Sequence, residues 1–224
     1  GVATSQELSD KVVKALVSDG FAATVASDVG EAVTVNKDSV AIERATRNPS
    51  AAPSDRAASI FKLMQVAREL SMSSVILHDK GLPDQDLSST KRVDIWWRGR
   101  GNGSLMLILA YLLCRNLEWT KHHVRVLRAI SSDEDHETAH ADLKSILFES
   151  RIRGEVCVVE AGESFKDTLI KHSHDATVVF LGLWVGELGE SFHAQDMHRH
   201  YSELFSDLPT TMLISNAGEA DLLI

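Results

Sequence analysis

Val93-Asp-Ile-Trp-Trp97, Arg98-Gly-Arg-Gly-Asn-Gly-Ser104 and Leu105-Met-Leu-Ile-Leu-Ala-Tyr-Leu-Leu113 form the continuous stretch whose reading decides the fold. Its first five residues predict a strand, its middle a glycine turn, and 104–115 a helix that is apolar almost all round. Such a helix must be covered on more than one side. Working outward, the alternation repeats. Val124–Ala129, Val156–Val159, Thr177–Leu181 and Thr210–Ile214 predict further strands, with helices over 134–149, over 164–171 and within 191–205. Short apolar strands separated by helical segments predict βαβ crossovers. Strands without polar alternation predict cover on both sheet faces. The expected fold class is therefore α/β, a three-layer α/β/α arrangement of mainly parallel open sheets.

The first ninety residues are less regular. Leu8–Val17 and Ala57–Leu70 carry helical periodicity, and Phe21–Ala26 and Val75–Leu77 predict strands. Asn48-Pro-Ser-Ala-Ala-Pro-Ser-Asp55 is a breaker-rich connector ending in a good helix cap. Gly81-Leu-Pro-Asp-Gln-Asp-Leu-Ser-Ser89 is a second connector. These place a first, partial α/β subdomain at 1–88 and a second, five-stranded one at 89–224.

Composition narrows the function classes. Lysine and arginine number 23 against 32 acids, a formal charge of -9, which argues against a general nucleic-acid binder. Trp96 and Trp97 are too short a stretch to form a base-stacking surface. They alternate along a strand, so one is expected in the core and the other at an interface. Cys114 and Cys157 sit in apolar runs and are expected as reduced core thiols. No apolar stretch reaches about 18 residues, the length needed to span a bilayer. The chain opens on Gly1-Val-Ala rather than Met, so a segment of a larger polypeptide is expected.

Four clusters could carry chemistry. His136-Glu-Thr-Ala-His140 matches the zinc-hydrolase pattern, with His136 and His140 as ligands and Glu137 as general base. The competing reading is a solvated helix start: Ser131 or Ser132 as cap, Glu134 at capping-box spacing from Ser131, and Leu143, Ile146, Leu147 and Ser150 as the buried stripe. Glu160, Glu163, His172 and His174 are the available third ligands. The second cluster is Gly99, Gly101, Gly103 and Ser104, where a strand feeds a helix and an anion could bind. Its G-x-G-x-G spacing is neither a dinucleotide fingerprint nor a P-loop, and a plain tight turn explains it better. Gly182 to Gly189 carries Leu183, Trp184 and Val185, which suit protein contact better than phosphate. His193, Asp196, His198 and His200 share a predicted helix and form either a polar face or a weak ligand cluster. No nucleophile elbow or cysteine–base pair is present, so no catalytic residue is assigned.

One pattern is specific. Asp94, Trp96 and Trp97 on a strand, Gly103 in the turn, Tyr111-Leu-Leu113 on the helix, then Trp119 and Arg125 leading into the next strand, resemble the carboxy-terminal cytoplasmic domain of cation-chloride cotransporters. Ser173-His-Asp-Ala-Thr-Val-Val-Phe-Leu-Gly-Leu183 and Asp207-Leu-Pro-Thr-Thr-Met-Leu-Ile214 are similar to the family as well. The turn Arg98–Gly103 departs from it, being basic where relatives often carry acids. The resemblance spans about residues 60–216 and suits a compact prokaryotic member. It implies two subdomains similar to universal stress proteins, the first shortened, below twelve membrane helices on the cytoplasmic face. It implies a homodimer that regulates a transmembrane transport domain of the same polypeptide, without cofactor, nucleic acid or catalysis. The alternatives are a stand-alone nucleotide-binding protein of the stress type and, further off, a zinc hydrolase.

Overall fold

The computed structural model describes 24–26 and 32–34 as strand backbone, and 64, 67–68, 71–81, 89–183 and 204–217 in full. Its strands are β1 (Thr24–Ala26), β2 (Ala32–Thr34), β3 (Ser74–His78), β4 (Lys91–Trp96), β5 (His122–Ile130), β6 (Glu155–Glu160), β7 (Val178–Gly182) and β8 (Thr210–Ser215). The helices between them are α1 (Arg100–Cys114), α2 (His136–Glu149) and α3 (Phe165–Ser173). The strands form one sheet in the order β2-β1-β3-β8-β7-β4-β5-β6. From β8 to β6 every pairing is parallel. The chain winds outward from β4 in one direction through β5 and β6, then returns to the other side of β4 through β7 and β8. The switch between β4 and β7 is where doubly wound sheets open a crevice.

The front residues extend this sheet as a shorter unit of opposite sense. β3 is antiparallel to β8, with Ile76 opposite Leu213. β1 runs parallel to β3, just as β7 runs parallel to β8. Ser73-Ser-Val-Ile-Leu-His-Asp79 aligns one-to-one with Thr210-Thr-Met-Leu-Ile-Ser-Asn216, and that alignment places Ile76 on Leu213, the residue it faces. The correspondence ends there, because β2 is antiparallel to β1 whereas β4 is parallel to β7.

Alternation along the strands divides the core in two. Val93, Ile95 and Trp97 join Val124, Val126, Val178, Phe180, Met212 and Ile214 under α1 and α2. Trp96, Leu127, Val179, Leu181 and Leu213 face the other way, with Leu169 of α3, Met64 and Leu204. Both tryptophans are therefore buried, at 1% and 5% exposure, and neither is an interface residue. A strand covered on both faces has no solvent side to offer.

The glycine turn is shorter than expected because α1 begins four residues early. Gly99, its N-cap, has φ +138°, open to glycine without strain. Gly103 lies inside the helix, where an added Cβ would meet the Trp97 ring at 2.3–2.6 Å. The motif is a packing device that brings α1 down onto Trp97. α2 starts at His136, and its cap is Asp135 rather than Ser131 or Ser132. Asp135 Oδ2 accepts from the Thr138 backbone N–H at 2.8 Å and the Thr138 hydroxyl at 2.5 Å. Glu134 leaves the proposed capping box to pair with Arg128. Leu143 and Leu147 are buried and Ile146 partly so, as the periodicity predicts. β2 was not expected. The predicted helix over 8–17, most of 57–70, the 82–88 connector and residues 184–203 lie outside the described residues.

Candidate functional site

Asp94 and Arg125 are directly opposed in the β4–β5 register, with side chains on the face beneath α3. Asp94 is fully buried. Its carboxylate accepts from Arg125 Nε at 2.9 Å and Nη2 at 2.6 Å, a two-point pairing suited to guanidinium. It also accepts from the buried Ser173 hydroxyl at 2.7 Å, and Arg92 Nε approaches at 3.5 Å. Trp96 Nε1–H donates to the same Ser173 hydroxyl at 3.0 Å. Arg125 Nη2 donates at 2.7 Å to the His172 carbonyl in the last turn of α3. Arg92 reaches that carbonyl too, at 3.4 Å, and binds Asp175 just beyond the helix. Two guanidinium groups thus cap the negative end of the α3 dipole, and Asp94 balances them inside the core.

The hydrogen bond to Asp94 holds the Arg125 guanidinium above its ordinary pKa, against the opposing effect of burial. Arg92 holds the Asp175 carboxyl below the usual range. Burial pushes the His172 imidazole below its ordinary value, helped by the charges of Lys171 and Arg125. Three hydrogen bonds engage this carboxylate, and it is buried away from solvent. The arrangement fixes strand register and the seat of α3.

The sequence pattern named Asp94, Trp96 and Arg125, and all three meet here. Trp97 and Trp119 are buried on the opposite face. Tyr111 is 45% exposed on α1, its hydroxyl accepting from Arg115 at 2.9 Å. Ser173 and Asp175 lay in a stretch similar to the family but carried no assigned role, and Arg92 and the His172 carbonyl were missed. Their signal was faint: a small polar residue ending a helix, one turn of the chain before the next strand.

Gly99 is the N-cap of α1 and Gly101, Gly103 and Ser104 lie in its opening turns, so the motif is a helix start rather than a separate loop. What occupies the crevice is Asn102. Its Nδ2 donates to the Leu183 carbonyl at 3.0 Å and its Oδ1 accepts from the Asn216 backbone N–H at 2.8 Å. Asn102 lay inside the glycine stretch without a role assigned to it, and Asn216 carried no motif.

His136 and Glu137 are exposed in the first turn of α2, and His140 is half-buried one turn on. Among the described residues no group of three or more His, Cys, Asp or Glu is placed to hold a metal ion. Glu160, Glu163, His172 and His174 thus supply no third ligand there. The helix-start reading accounts for the motif. Cys114 and Cys157 are free and half-buried, and burial pushes the Cys114 thiol up to about 12. Trp184, His193, Asp196, His198 and His200 lie outside the described residues. No described helix is long and apolar enough to cross a membrane.

No family model matches the chain. Among solved structures, the cytoplasmic domain of a prokaryotic cation chloride cotransporter is similar in fold, with a TM-score of 0.56 at 18% identity, over 75% of this chain and 62% of that one. A universal stress protein from Archaeoglobus fulgidus DSM 4304 is similar with a TM-score of 0.50 at 13% identity, over 74% of this chain and 67% of that one. This chain therefore matches less than two thirds of the cotransporter domain's length. At such identities the likeness is one of fold, an α/β architecture similar to both.

Proposed function

We propose that this chain is the cytoplasmic regulatory and dimerisation domain of a cation-chloride cotransporter, neither catalytic nor ion-conducting itself. On this reading it works at the membrane's cytoplasmic face, beside a transmembrane transport domain of the same polypeptide. The observation that carries the reading is the network of Asp94, Trp96 and Arg125. These residues come from the pattern that resembles the family, and they converge on one buried carboxylate in a fold of matching type. The network's groups satisfy one another, which suits a rigid module rather than a reaction centre. Leu117 and Phe148, 82% and 85% exposed, leave apolar surface available for self-association.

The deciding experiment is to express the complete gene product and fractionate the cells. Membrane association with about twelve apolar spans before residue 1 is expected; a complete product that lacks spans and stays in the soluble fraction would overturn the reading. Sedimentation of the present chain is expected to give a dimer. The likeness to a universal stress protein favours a second reading, a stand-alone nucleotide binder. Calorimetry with ATP separates the two, since saturable micromolar binding by the wild-type chain would favour the second.

A further inference from the structure

The loops that leave the carboxyl ends of β4, β7 and β8 meet at the switch point of the sheet, and their contacts close on one another. Asn102, in the first turn of α1, spans the space between the two outgoing strands. One end of its carboxamide donates to the Leu183 carbonyl after β7, and the other accepts from the Asn216 N–H after β8. Only one orientation of the amide satisfies both. Asn216 in turn donates through Nδ2 to the Gly101 carbonyl at 2.7 Å. Gly182 forms the floor, and a Cβ there would stand 3.0 Å from both Cβ and Nδ2 of Asn102. Among the described residues, the space above Gly182, at the end of the sheet where such folds take ligands, holds the chain's own Asn102 side chain.

The same residues reach across to the front unit. Asn216 Oδ1 accepts from the Ser73 hydroxyl at 2.9 Å, and Ser73 Oγ accepts from the Ala217 N–H at 3.3 Å. Ser73 immediately precedes β3, whose pairing with β8 joins the two units. Asn216 is therefore shared between the crevice and the joint.

We propose that Asn102 and Asn216 form an internal latch, which keeps the crevice closed and couples it to the seat of β3 on β8. A ligand entering the crevice has to displace the Asn102 carboxamide. The Asn216 N–H then loses its acceptor, and the contacts that hold Gly101 and Ser73 loosen with it. Reciprocity follows: whatever loosens β3 also eases entry to the crevice. This latch does not depend on the cotransporter reading and is tested separately from it.

Hydrogen exchange followed by mass spectrometry on the intact chain provides the first test. In Asn102→Ala the amides of 74–78, which Asn102 does not touch, should exchange about fivefold faster or more. Asn216→Ala should give the same pattern, and the double variant should add little to it. Acceleration confined to 99–104 and 182–183 would overturn the coupling. Calorimetry with ATP as a phosphate-bearing probe tests occlusion, with Asn102→Ala expected to bind at least about tenfold more tightly than wild type, about 1.4 kcal/mol. Equal affinity, or no binding by a variant whose circular dichroism is native, would overturn it. Should Asn102→Ala fail to fold, Asn102→Ser shortens the side chain while keeping a polar group, and is read by the same two measurements.

Discussion

From Val93 onward the two faces of β4 carry opposite chemistry on alternate residues. Val93, Ile95 and Trp97 enter an apolar core, closed by α1 pressing Gly103 onto the Trp97 ring, with Lys91 buried on the same face where the strand begins. Asp94 and Trp96 face α3 and build a hydrogen-bonded network around a fully buried carboxylate. The first face gains stability from burial and close packing, which are non-directional and tolerate adjustment. The second depends on partners: each group is costly if left alone and gives a single well-defined seat if satisfied. One face makes the domain stable, and the other fixes where α3 and β5 sit.

Breaking the polar face should have the largest effect. Asp94→Ala leaves Arg125 in the core without its carboxylate and should lower unfolding stability by about 3–5 kcal/mol, read from urea denaturation. The double variant Asp94→Leu with Arg125→Met should recover much of that loss, because the deficit comes from the uncompensated charge rather than lost volume. A double variant as unstable as Asp94→Ala would show that the two faces do not differ in this way. On the apolar face, Gly103→Ala should cost about 1–3 kcal/mol by overpacking, although alanine is the better helix former. An unchanged denaturation midpoint would mean the Trp97 ring has room to move. Trp96→Phe keeps the ring contact with α3 but removes the indole donor to Ser173, and should cost about 1 kcal/mol.

The faces should also separate by pH and by reagent. The folded pKa of His172 is depressed below 6.5, so the neutral form favours the native state. That contribution is present above pH 6.5 and is lost as pH falls through the depressed value. His172→Gln should remove this slope from a melting-temperature profile. The Asp175 carboxyl, held low by Arg92, contributes above its unfolded value near 3.8 and is lost only below that. An acid profile with no step near His172 in the wild type would count against its burial. The smallest effect is expected at Cys114, the last residue of α1, whose thiol is pushed up to about 12. It should resist iodoacetamide at mildly alkaline pH until the chain unfolds, and brisk labelling of the native protein would contradict the packing there.

Much of the fold was legible because its signal is local. The five back strands are short apolar runs, and each emerges within two residues of its predicted start. The stripe of α2 follows the same rule. Errors gathered where two local signals compete. At Arg98–Ser104 glycine content suggests a turn, but the low helix propensity of Gly101, Asn102 and Gly103 yields to the packing of Gly103 on Trp97. Before α2, Ser131 and Asp135 both offer caps, and Asp135 prevails because Thr138 supplies two donors to one oxygen. HExxH has the spacing of a metal helix, yet its neighbours in space supply no third ligand among the described residues.

By itself the sequence determined the class of fold and the order of its elements, since period and apolar runs are properties of neighbours along the chain. It also marked Asp94, Trp96 and Arg125 as belonging together through a family resemblance, without saying how. Only the tertiary structure decided that Asp94 and Arg125 stand opposite in register and that Ser173, 79 residues from Asp94, completes their shell. The same holds for Asn216, which reaches back 114 residues to Asn102 and 143 to Ser73. Hydrogen bonds between distant segments depend on distance and angle, and a single sequence records neither.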